Sequence, residues 1–76
     1  MIHETHLKEL KLQVMCAIRV YAVQNSMSQT DMAYLLQTTQ PRMSHLFKGQ
    51  TDKFKLDQLL AWAYDLGIKA TIQINQ

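Results

Sequence analysis

Two helix starts fall close together in the middle of the chain, and they leave it few ways to fold. Ser28 is followed three residues later by Asp31, a pattern that resembles a capping box with the shorter Asp in place of Glu. Thr39 is a good N-cap, and Pro41 stands in the first turn after it, where a missing N–H costs nothing. Met32, Ala33, Leu35 and Leu36 supply the buried side of the first helix, which should stop near Leu36. Met43, Leu46 and Phe47 share a face of the second, and Gly49 is placed to end it in the left-handed conformation. The chain must therefore reverse within a few residues around Gln37.

The flanking segments are also helical in pattern. From about His3 to Gln24, Leu7, Leu10, Val14, Ala17, Ile18 and Tyr21 fall at helical spacing, and Leu12, Met15, Val20 and Val23 widen the apolar surface beyond one stripe. Such a helix has more than one surface to cover: its own domain, a second subunit or a foreign protein. From about Leu56 to Leu66, Leu56, Leu59, Leu60, Ala63 and Tyr64 or Leu66 form an apolar face, Asp57 suits the first turn, and Gly67 ends the helix. After Gly67 the period changes to two: Ile68, Ala70, Ile72 and Ile74 alternate with Lys69, Thr71, Gln73 and Asn75, which predicts a strand over about 69–75. A lone strand leaves its backbone unpaired. Pairing with the same strand of a second copy answers this most economically, which makes Ala70, Ile72 and Ile74 the expected dimer interface. A frayed tail or a strand from another protein are the alternatives.

Length and composition narrow the function classes. At 76 residues the chain is expected to form one domain, 1–76, near the lower limit for a self-sufficient core. That excludes an enzyme with separate substrate and cofactor domains. No apolar run approaches the roughly 18 residues of a transmembrane helix. Cys16 is the single cysteine, so no disulfide framework exists, and the first residues, 1–7, lack a basic start and apolar middle. A reduced, intracellular protein is the simplest expectation. Arg42, Lys48, Lys53 and Lys55 stand against the single acid Asp52 between Gln37 and Lys55, although the whole chain carries only +2. Such a patch suits an anionic partner, most often nucleic acid, or else it is a solvated loop.

The 28–48 stretch, with Ala33 where a second helix must approach closely, Met43 where that helix buries a side chain, and Gln37 at the turn, has the spacing of a helix-turn-helix. It resembles the Cro/C1-type (XRE-like) helix-turn-helix regulators of bacteria and phages. The matching features are Gln29 opening the first helix, Ala33, Leu36, Thr38-Thr39-Gln40, Pro41-Arg42, Leu46 and Lys48-Gly49. The following Asp52-Lys53-Phe54-Lys55-Leu56-Asp57, the helix ending in Leu66-Gly67 and the alternating strand resemble the small branch that includes HigA-like antitoxins. One departure is Gln37, where the family usually has Gly; a non-Gly residue there costs about 1 kcal/mol.

The resemblance implies an all-α, lambda-repressor-like bundle of four helices with a C-terminal β-strand, and a recognition helix that enters the DNA major groove. Its outer face would carry Gln40, Arg42, Ser44, His45 and Lys48. Gln40 suits adenine and Arg42 guanine, Pro41 offers its ring to a thymine methyl, and His45 reaches a base or a phosphate. Ser28, Gln29 and Thr39 at helix starts, with Lys48, Gln50, Lys53 and Lys55 after the recognition helix, would hold phosphates. The function implied is a non-enzymatic, sequence-specific repressor in the cytoplasm of a bacterial or phage-encoded system. It would act as a homodimer on a palindromic operator, as the autorepressing antitoxin of a toxin–antitoxin pair. The alternative is a protein-binding module whose main role is to neutralise a partner toxin.

Other residues carry less. His3 and His6, with Glu4, have a metal-compatible spacing but no supporting cluster, so neither metal nor cofactor is expected. Cys16 lies in an apolar helix and reads as a small buried hydrophobe. Trp62 reads as a core or dimer-interface residue, and the five Met as core filler.

Overall fold

The computed structural model describes residues 4–68. It contains four α-helices, α1 (Glu4–Gln24), α2 (Gln29–Leu35), α3 (Gln40–Phe47) and α4 (Leu56–Asp65), and a 3-10 turn at Thr51–Lys53 before α4. Among the described residues there is no strand. The predicted strand over 69–75, and with it Ala70, Ile72 and Ile74, lies outside them.

α1 is the spine. Its Leu10, Val14, Met15, Ile18 and Ala22 are buried, and it packs on α4, on α3 and on the 3-10 turn, while α2 packs on α3. One core joins α1 to Met32, Ala33 and Leu36, to Met43 and Leu46, and to Phe54, Leu59, Trp62 and Ala63. The apolar spacing of the helices thus becomes one contiguous interior, with the exception of Leu35, which was expected on the buried side of α2 and is exposed. On α4 the ambiguous position resolves to Leu66, which packs partly against the core, whereas Tyr64 is exposed. Trp62 is a core residue: Phe54 meets it edge-on, with ring centroids 5.8 Å apart. The 3-10 turn, which the sequence pattern did not predict, is what carries Phe54 inward.

Cys16 corrects an expectation. It is exposed, because α1 turns only one side to the core, and Cys16 lies on another side together with half-exposed Val20. The wider apolar surface of α1 is real, and Leu12, Val20 and Val23 remain open on it.

All four helices end in the same way. The residue after the cap is left-handed: Ser26 at φ 53, Gln37 at φ 57, Gly49 at φ 73 and Gly67 at φ 74. Each stop is closed by a paired set of backbone bonds, as in Thr38 N–H to Ala33 O (2.8 Å) with Gln37 N–H to Tyr34 O (3.2 Å). These are Schellman motifs, which satisfy carbonyls that the helix itself leaves unpaired. At the other end of α2 the capping box is complete: Asp31 N–H donates to Ser28 Oγ (3.1 Å) and Ser28 N–H donates to Asp31 Oδ2 (3.0 Å).

Two predictions follow from these ends. Gln37→Gly should relieve the left-handed strain and raise unfolding free energy by up to about 1 kcal/mol; urea unfolding showing a loss would contradict it. The backbone N–H of Ser28, and then its side chain, hold the Asp31 carboxyl below its ordinary range. A depressed folded pKa stabilises above the unfolded value and is lost as pH falls through the folded one. Wild type and Asp31→Asn should therefore differ near neutrality and converge in acid, as read by urea midpoints along a pH series.

Candidate nucleic-acid interface

α3 is amphipathic in a simple sense. Met43 and Leu46 are fully buried and Phe47 is partly so, while Gln40, Pro41, Arg42 and Lys48 are exposed. Thr39 starts it, with Oγ1 accepting from the Arg42 N–H at 3.3 Å, and Pro41 sits in the first turn. The burial of Met43 and Leu46 fixes the rotation of the helix about its axis, so Gln40, Pro41 and Arg42 are turned toward solvent while Ser44 and His45 are half-buried.

Three side-chain arrangements shape that outer face. Gln40 Nε2 donates to Gln29 Oε1 at 2.9 Å, tying the first residue of α3 to the first of α2. This fixes the carboxamide of Gln40 and leaves its Oε1 and its second Nε2 hydrogen open. Arg42 lies with its guanidinium 4.9 Å from the Phe54 ring centre and 5.6 Å from that of Trp62. The cation lies within cation–π range of both rings, and the guanidinium's N–H groups are its means of binding a partner. His45, half-buried with Ser44, places Nδ1 against Gln50 Oε1. With Gln50 as acceptor the ring proton sits on Nδ1, which leaves Nε2 pointing elsewhere.

The far end of α3 is also held. Arg19 Nη1 on α1 donates to Phe47 O at 2.9 Å, and Lys11 Nζ donates to Thr51 O at 3.3 Å. A cation on the last carbonyls of a helix meets the negative end of its dipole. Lys48, Lys53 and Lys55 are exposed on the segment that follows. Around the start of α2, Ser28 is exposed and Gln29 half-buried, but the Ser28 N–H is already taken by Asp31. What Ser28 still offers an anion is its hydroxyl hydrogen.

A helix-turn-helix domain family matches residues 1–75. The chain belongs to this helix-turn-helix family. No curated protein and no solved structure matched it. Membership makes DNA-binding regulation the function class of the domain. The four described helices agree with a helix-turn-helix bundle, α2 and α3 being its two central helices.

Within this helix-turn-helix, the structure gathers Gln29, Thr39, Gln40, Pro41 and Arg42 at the start of α3, and Ser44, His45, Lys48 and Gln50 along its length and end. Lys53 is the last residue of the 3-10 turn and Lys55 is the N-cap of α4. Arg19, Lys11 and Phe54 escaped the sequence reading. Arg19 and Lys11 sit amid apolar residues of a long helix, where a charge reads as solvated; only the fold brings them to carbonyls of α3 and the 3-10 turn. Among the described residues no group of three potential ligands gathers for a metal, and no helix is long and apolar enough to cross a membrane.

The Arg42 cation–π contact has a measurable consequence. Arg42→Ala should cost about 0.5–1 kcal/mol of stability and alter the emission of Trp62. An unchanged unfolding midpoint with unchanged Trp62 emission would show that the contact contributes nothing in solution.

Proposed function

We propose that the chain is a sequence-specific transcriptional repressor of the Cro/C1 (XRE-like) kind, reading DNA with α3. The observation that carries this reading is the Gln29–Gln40 hydrogen bond on the polar side of a helix anchored by Met43 and Leu46. Adenine presents an N7 acceptor and an N6 donor in the major groove. Gln40, with one Nε2 hydrogen engaged by Gln29, keeps the other and its Oε1 for those two atoms. Arg42 offers its guanidinium edge to guanine O6 and N7, Pro41 its ring to a thymine methyl, and Ser44 and His45 reach further along the groove.

Phosphates are held by Ser28, Gln29 and Thr39 on one side of α3, and by Lys48, Gln50, Lys53 and Lys55 on the other. These contacts position the domain and read no sequence. Two copies bound to a palindrome would place their α3 helices about 34 Å apart. The segment containing Ala70, Ile72 and Ile74 is the proposed contact between copies. The mode of action is occlusion of a promoter, without catalysis. The resemblance to HigA-like antitoxins makes autorepression in a toxin–antitoxin pair the proposed setting, within a bacterial or phage-encoded cytoplasmic system. Exposed Leu12 and Val23 on α1 support a protein partner, the toxin, as the second reading.

Selection from a random duplex pool at two salt concentrations tests both. The expected result is an enriched palindrome with half-sites about 10 base pairs apart. Gln40→Ala should then lower affinity by about 1–3 kcal/mol and relax preference at one base position. Lys53→Ala should weaken all sequences alike and reduce the salt slope by about 1. Salt-sensitive binding with no enriched sequence would reduce the function to phosphate attraction. Absence of binding at either salt would leave toxin neutralisation as the main role.

A further inference from the structure

The stop of α3 differs from the other three. At each stop a residue past the helix returns its N–H to the carbonyl five residues back: Met27 to Ala22 (2.8 Å), Thr38 to Ala33 (2.8 Å), Gln50 to His45 (3.1 Å) and Ile68 to Ala63 (2.9 Å). This motif brings the two side chains together, and an apolar contact between them commonly accompanies it. Alanine holds the inner place at the stops of α1, α2 and α4. At α3 the two places hold histidine and glutamine, both half-buried, with His45 Nδ1 against Gln50 Oε1. Gly49, left-handed at φ 73, turns Gln50 back over the helix end.

A carboxamide oxygen only accepts, so the neutral His45 ring carries its proton on Nδ1. Nε2 is then a bare lone pair, directed away from Gln50. Among the described residues it has no hydrogen-bond partner, and no buried side-chain nitrogen or oxygen lacks one, so Nε2 reaches solvent. His45 stands three residues beyond Arg42 on α3, one turn further along the same side.

We propose that Gln50 is a positioning residue for base readout: it holds the His45 ring so that Nε2 accepts a hydrogen bond from the exocyclic amine of cytosine or adenine. On the DNA-binding reading above, on which this rests, cytosine N4 and adenine N6 are donors in the major groove, whereas guanine and thymine present acceptors there. A lone pair at Nε2 attracts the first two and repels the others. Without Gln50 the ring can carry its proton on either nitrogen, and it then meets donor and acceptor alike. Gln50 keeps both hydrogens of its own Nε2, and these remain for a phosphate. One side chain thereby links a backbone contact to the state of a base-reading one.

Two measurements on the full chain test this. The first uses no DNA. Nitrogen chemical shifts of the imidazole rings are recorded at about pH 8, above the ordinary histidine range, and His45 is assigned by its loss in His45→Asn. The expected form carries its proton on Nδ1, and Gln50→Ala should shift it toward the Nε2 form while the amide spectrum stays folded. A wild-type ring protonated on Nε2 would overturn the proposal and leave the DNA-binding reading standing. The second repeats the duplex selection with wild type, His45→Ala and Gln50→Ala. Wild type should prefer cytosine or adenine on one strand at the position whose preference His45→Ala abolishes. Gln50→Ala should reduce that preference about five- to tenfold and leave the other positions unchanged. A preference for guanine or thymine there, no position that depends on His45, or a Gln50→Ala variant that weakens all sequences alike would overturn the proposal alone. Failure of wild type to enrich any sequence would overturn the repressor reading together with it.

Discussion

Gln37 stands at φ 57 with Thr38 N–H bonded to Ala33 O at 2.8 Å, and the direction in which α3 faces follows from that reversal. The turn delivers the chain back over α2 at Ala33, which is 5% exposed and has no side chain beyond Cβ to hold the helices apart. Only with α3 that close can Met43 and Leu46 reach the interior beside Met32 and Ile18. Their burial in turn sets which residues of α3 look outward. A bulkier residue at position 33 would displace α3 as a whole, because close-packed interiors do not absorb extra volume locally.

The rest of the molecule works to keep α3 in that attitude. Its first residue is tied to α2 through Gln29, and Arg19 holds its last turn from α1. Arg42 leans across to Phe54 and Trp62, joining α3 to the 3-10 turn and α4. Three cationic side chains, Lys11, Arg19 and Arg42, are thus engaged inside the domain before any partner arrives. Of the other described cations, Lys8 is exposed on α1, while Lys48, Lys53 and Lys55 are exposed together after α3, so net charge alone understates how the positive field is placed.

Much of this was legible in the amino-acid sequence because it is local. Ser28 with Asp31, Thr39 with Pro41, and Gly49 each announce a helix end by chemistry that acts within a few residues. The expected burial of Ala33, Met43 and Trp62 and the left-handed Gln37 agree with the structure. What was not legible depends on distant parts of the chain. Cys16 is exposed because the apolar pattern of α1 is broader than the side its core uses, and no local signal says which apolar residues are left over. The 3-10 turn has too few residues to show a period, so Phe54 did not announce itself as a partner of Trp62. Arg42 was legible as an exposed charge on α3, but not as a side chain within cation–π range of two aromatic rings.

On the proposed reading, the Arg42 cation–π contact and the Gln40 bridge bear on affinity in the same way. A long polar side chain immobilised at an interface costs about 0.5–1.5 kcal/mol in lost freedom. Gln40 meets that cost partly in the unbound domain, because Gln29 already restricts its carboxamide. Arg42 does so through its contacts with the two rings, which restrict the side chain in the unbound domain. A lysine at position 42 would keep the charge but lose the delocalised guanidinium beside the rings and its forked set of donors. The identity of Arg42 therefore matters beyond its charge: the guanidinium that would read DNA is also the group that holds α3 to Phe54 and Trp62.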